Sequence, residues 1–148
     1  MSVTQNDPGR IFLGGERTQL GQWAAKAAIT PGHLVERVNT AGVWRWQKNA
    51  NTTADKHSEA AVATEQSMLN LDVDDVYAIG DLVEVSVGHK GSAFWMFIAS
   101  GQNIAYGDRL ESAGDGTLRI FNAGPVLFTA LETQANVTVT TRIRVETV

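Results

Sequence analysis

Apolar and polar positions alternate most cleanly in two stretches of the chain. Over Leu82–Val87, Val83, Val85 and Val87 share one face. Over Val137–Val148, Val137, Val139, Ile143 and Val145 point one way and Arg142, Arg144 and Glu146 the other. A period of two predicts half-buried β-strands. Phe94–Ile98 is continuously apolar, the pattern of a strand buried on both faces, and Val126–Leu131 is a second buried run. Leu34–Val38 and Val43–Gln47 read as strands flanking an Ala41-Gly42 turn, with Trp44 and Trp46 on one face. Ala60–Thr64, Arg109–Glu111 and Leu118–Phe121 are further short strands, the last two joined through Asp115-Gly116. Ile11-Phe12-Leu13, halted by Gly14-Gly15, predicts a brief strand or an anchor. Glu16–Ala28 contains a helix-friendly Trp-Ala-Ala-Lys-Ala-Ala run, but Gly21 inside it and Thr30-Pro31-Gly32 after it favour an extended or mixed segment. Lys48–Glu59 reads as a long polar surface loop and Glu65–Asp75 as irregular. Strands at about 8–12-residue spacing, separated by glycine turns, predict an all-β barrel or sandwich.

One local pattern recurs. Ile29-x-x-Gly32-His-Leu34, Tyr77-x-x-Gly80-Asp81-Leu82 and Ile104-x-x-Gly107-Asp108-x-Leu110 each set an apolar anchor three residues before a glycine. A polar residue follows, and then an apolar strand start. The mechanism is physical: the anchor enters the core, glycine supplies the turn, and the Asp carboxylate, present in two of the three copies, accepts local backbone N–H groups. Gly32, Gly80, Asp81, Gly107, Asp108, Asp115 and Gly116 are therefore expected to be structural turn residues.

The 148 residues fit one domain with a core of its own, here expected over 16–148, preceded by a polar N-terminal arm over 1–15. A net charge of −4, spread along the chain, supplies no basic stripe for nucleic acid and no polybasic membrane patch. No apolar run reaches the roughly 18–20 residues of a membrane span. The absence of cysteine removes disulfides, thiol catalysis and thiolate metal sites. His33, His57 and His89 fall at expected turns without metal-ligand spacing and read as solvated. Asp72-Val-Asp74-Asp75 lacks the glycine and distal glutamate of a calcium loop and reads as a turn. No nucleophile elbow, dinucleotide fingerprint or phosphate loop occurs, so no catalytic residue, cofactor or metal is assigned. Lys90, at the tip of the Gly88–Gly91 hairpin, leaves open a lipoyl- or biotinyl-like carrier or small-ligand β domain. Trp44 and Trp46, with Arg45 between them, are either core or an interface anchor: tryptophan and arginine are enriched in contact hot spots, while core burial is the commoner fate of two such rings. Ile11, Phe12 and Leu13 are the apolar triplet of an otherwise polar arm and are candidates for anchoring it on a partner.

Tyr77-Ala-Ile-Gly-Asp-Leu-Val, followed by Ile98-Ala-Ser-Gly-Gln-Asn-Ile-Ala-Tyr-Gly-Asp-Arg-Leu-Glu-Ser-Ala-Gly-Asp-Gly-Thr-Leu, resembles the capsid cement (head decoration) proteins of tailed bacteriophages. The resemblance extends back through Ile29-Thr-Pro-Gly and Ala63-Thr-Glu65 and is weakest over the first 26 or so residues. It implies a small β-barrel or β-clip-like (β-tulip) domain with an extended N-terminal arm. It further implies synthesis in the host bacterial cytoplasm and docking on the exterior of the assembled capsid, with the major capsid protein and copies of itself as partners. A trimer is favoured and a dimer possible. The family carries no catalytic residues. A tail or baseplate structural component is the alternative within the same setting.

Overall fold

The structure, a computed structural model, describes residues 8–56, 58–135 and 140–148. Its strands in chain order are β1 (Phe12–Gly14), β2 (Arg17–Ala24), β3 (Leu34–Thr40), β4 (Val43–Lys48), β5 (Ala61–Thr64), β6 (Leu82–Gly88), β7 (Ala93–Ile98), β8 (Arg109–Ser112), β9 (Leu118–Ile120), β10 (Phe128–Ala130) and β11 (Thr141–Thr147). Among the described residues the only helical element is a 3₁₀ turn at Ser67–Leu69. The chain is all-β. The segment left ambiguous by its alanines is strand β2, because pairing with β6 (Leu20 opposite Val85, Trp23 opposite Val83) overrides local propensity. The 1–15 arm falls partly outside the described residues; its later part leads into β1, which pairs with β7.

Two sheets form. One runs β1-β7-β11-β10-β8-β9 and closes into a five-stranded barrel where Ile98 of β7 pairs in parallel with Leu118 of β9. Closure removes the open edges that a small sheet would otherwise expose. The other runs β2-β6-β5-β3-β4, all antiparallel, and its ends meet where Ala25 bridges Trp46. The Gly88–Ala93 hairpin carries the chain from one sheet to the other. Gly88 lies so close to the Phe94 ring and the Thr147 hydroxyl that a Cβ there would sit 2.5 and 2.6 Å from them.

The two cores share a wall. Along β3, Leu34 packs into the barrel core with Ile11, Phe94, Met96 and Phe128, while Val35 packs with Trp46, Val83 and Val85. Along β5, Val62 faces the barrel and Ala61 and Ala63 face the other core, so all four residues of this strand are buried. Each face of the wall thus has its own apolar partner, and its residues cannot alternate with polar ones.

Phe94–Ile98 corrects the sequence expectation of burial on both faces. Phe94, Met96 and Ile98 are buried, whereas Ala93, Trp95 and Phe97 are only half-buried. The outer rings of Trp95 and Phe97 lie beneath the Arg142 guanidinium, at 4.9 and 4.4 Å, where a cation over the ring face replaces a second hydrophobic layer.

Candidate functional site

The three turn copies share one set of bonds. Gly32, Gly80 and Gly107 have φ of 99°, 90° and 88°. Their N–H groups donate to the carbonyls of Ala63, Ala25 and Ala130 at 2.8, 3.0 and 2.8 Å. The following side chain reaches back three residues in each case: Ala78 donates to Asp81 Oδ2 at 2.8 Å, Ala105 to Asp108 Oδ2 at 2.8 Å, and Thr30 to His33 Nδ1 at 3.0 Å. The anchors Ile29, Tyr77 and Ile104 are buried. Ile29 bridges Tyr77, so two copies of the device are hydrogen-bonded to each other. At the fourth turn, Asp115 Oδ1 accepts the Thr117 N–H at 3.1 Å, and Gly116 lies against the Lys48 side chain.

His33 is accordingly not a solvated loop histidine. It is 8 % exposed, and its ring lies 4.8 Å from that of Phe97. Burial first, then the neighbouring Lys48 and Arg142 charges, push its pKa down to about 4. His89 is exposed and bonded to the Thr18 hydroxyl at 2.9 Å, and His57 lies outside the described residues. Asp72–Asp75 is a turn: Asp75 accepts the Asp72 N–H, Asp72 accepts that of Asp74, and Asp74 pairs with Arg142 at 3.0 Å. Lys90 is exposed at its hairpin tip. No group of three or more histidines and carboxylates among the described residues is placed to hold a metal.

The remaining sequence candidates divide between core and surface. Ile11 has no exposed surface and is a barrel-core residue of this chain; its N–H donates to Glu65 at 3.1 Å. The sequence reads the triplet as an anchor on a partner, but closing the barrel core takes Ile11 inward. Phe12 and Leu13 are half-buried beside it, with Phe12 against Phe94 at 5.4 Å. Trp46 is fully buried, so it too is core. Trp44 is 49 % exposed. One face of its ring stacks on Trp23 at 5.6 Å, and Trp23 in turn contacts Trp46 at 5.3 Å. The exposed hairpin 39–45 therefore presents Trp44 on a rigid aromatic base on one face of β4 and Val43 and Arg45 on the other, and Arg45 has no ion pair among the described residues.

A second surface has no counterpart among the sequence candidates. An open groove of about 610 Å³ runs between β6 and the 66–77 segment. Met68, Leu69, Val76 and Leu82 line it and are 92, 65, 54 and 52 % exposed. The segment is held at three points. Gln66 donates to the Leu82 carbonyl at 2.8 Å, Val73 is buried in the barrel core, and buried Tyr77 donates its hydroxyl to the Thr64 carbonyl at 2.5 Å. Burial pushes the Tyr77 hydroxyl pKa up, which keeps it a donor. With Val73 and Tyr77 turned inward, the apolar residues between and before them face solvent. Asp75, Asp81 and Glu84 complete the lining, and none has an ion pair among the described residues. A clustered apolar surface rimmed by polar groups is the mark of an interaction site.

The molecule is thus a small all-β module with a closed barrel, a second sheet sharing its wall, and two exposed apolar surfaces. Among solved structures it is similar to the N base of the head fiber gp8.5 of bacteriophage phi29, with a TM-score of 0.59 and 16 % identity. That superposition covers 90 % of this chain and 95 % of the other. At this identity the likeness is one of fold. No protein-family model matches the chain, and a comparison with curated proteins gives no match.

Proposed function

We propose that this chain is a structural, non-catalytic protein of a bacteriophage virion, which binds the outside of the assembled capsid and stabilises it. The observation that carries the reading is the fold shared, over nearly the full length of both chains, with a phage head fiber base. The resemblance of the Tyr77–Leu118 turn motifs to capsid cement proteins supports it from the sequence side. The partners in this reading are the major capsid protein and further copies of this chain, with a trimer favoured over a dimer. A stiff β scaffold suits the task. A cement acts by binding the joined capsomers and not the separated ones, so modest energy per copy, repeated over many sites, shifts the balance towards the closed shell.

The test uses virions of the phage that encodes the chain, imaged by cryo-electron microscopy with and without it. The expected result is density of this size on the capsid exterior, together with capsids that open at lower temperature when it is missing. Capsids that neither bind the purified protein nor change in heat stability on its removal would overturn the reading.

A further inference from the structure

We infer that the groove between β6 and the 66–77 segment is the seat for the β3–β4 hairpin of a second copy of this chain. The argument is one of complementarity between two surfaces of the same molecule. The groove is apolar at its centre, through Met68, Leu69, Val76 and Leu82, and anionic around it, through Asp75, Asp81 and Glu84. No arginine or lysine of this chain lines it. Its occupant must therefore combine an apolar body with a cationic head. The hairpin 39–45 has that composition on one face of β4: Val43 is half-exposed and shares that face with Arg45, which carries an unpaired cation among the described residues, while half-exposed Trp44 stands on the opposite face. Both surfaces are fixed before they meet, the hairpin by Trp44 stacking on Trp23 and the groove by Gln66, Val73 and Tyr77. Little ordering cost then opposes association. Arginine is also among the residue types that dominate binding energy when they enter a pocket on a partner. Such a contact joins two different patches, so it is heterologous and closes a ring when the rotation between copies permits. The inference rests on the self-association half of the proposed function and is independent of capsid binding.

The experiment measures association of the full chain by analytical ultracentrifugation, for the wild type and for Arg45→Glu and Met68→Glu. Both substituted residues are exposed, and near-UV circular dichroism checks each fold. The wild type is expected to self-associate, and each variant to weaken association at least about tenfold. Mixing the two variants should restore a dimer, because one retains an intact groove and the other an intact hairpin. The chain has no cysteine, so a second measurement is clean. Arg45→Cys and Asp75→Cys proteins, mixed under mild oxidation, should form a disulfide-linked heterodimer faster than either forms a homodimer. A monomeric wild type, or association indifferent to both charge variants, would overturn the inference while leaving capsid binding to stand or fall separately. So would a Met68→Glu protein that associates normally but no longer binds capsids, since the groove would then receive the shell protein.

Discussion

Arg142 and His33 hold the two sheets together where Pro31 approaches β7. The Arg142 guanidinium lies over Trp95 and Phe97 and donates to the Pro31 carbonyl at 3.1 and 3.2 Å, to the Val73 carbonyl and to Asp74. Only arginine carries enough donors in one plane to serve three acceptor residues at once. His33 sits within reach of the same charge and accepts the Thr30 N–H through Nδ1, which must be unprotonated to do so. Its folded pKa of about 4 lies below the ordinary 6.5. Between those values the unfolded chain binds a proton that the folded chain refuses. Stability is therefore full above pH 6.5 and falls as the pH drops towards 4, by up to about 3 kcal/mol. Urea titrations at pH 7.5 and 4.5 should show this loss in the wild type and much less of it in His33→Asn, whose Oδ1 can accept the same N–H. Equal losses in the two proteins would show that carboxylates such as Glu111 carry the acid sensitivity instead. Burial alone would raise Glu111, but hydrogen bonds from Arg119 and from the backbone of Gly124, Asn122 and Ala123 outweigh it and hold its carboxyl below the usual range.

At the scale of elements, the repeated turn makes an ordered prediction. Gly80 and Gly107 have positive φ, and a Cβ at either meets nothing within 4 Å, so alanine there strains the backbone alone. Each substitution should cost about 1–2 kcal/mol. A Cβ at Gly32 would lie 3.1 Å from both Arg142 Nε and the Trp95 carbonyl, so Gly32→Ala should cost measurably more. Chemical denaturation of the three variants checks the ranking, and equal costs would remove the case for a tight approach at Gly32. The anchors, glycines and aspartates of this device were legible in the sequence because every part of it is local. That His33 fills the aspartate's role was not, since the burial that keeps its ring unprotonated comes from distant partners such as Phe97.

For the molecule as a whole, the shared wall predicts that the two sheets unfold together. Leu34 and Val35 are neighbours in sequence yet belong to different cores. Leu34→Ala should cost about 2–5 kcal/mol and lower a single melting transition. Tryptophan fluorescence and far-UV circular dichroism should trace that transition coincidentally. Two separated transitions would mean that the barrel and the second sheet are independent.

Residue order alone determined the strand-rich class and the turn positions, because alternation and glycine chemistry act over a few residues. Tertiary structure decided what depends on distant partners. It drew Ile11 and Trp46 into cores, seated Arg142 over Trp95 and Phe97, and buried both faces of β5. It also opened the Met68–Leu82 groove, which pattern could not disclose: nothing in Met68-Leu69-Asn70-Leu71 says which apolar side chains find a core. Val73 and Tyr77 find one, and that leaves the others facing water.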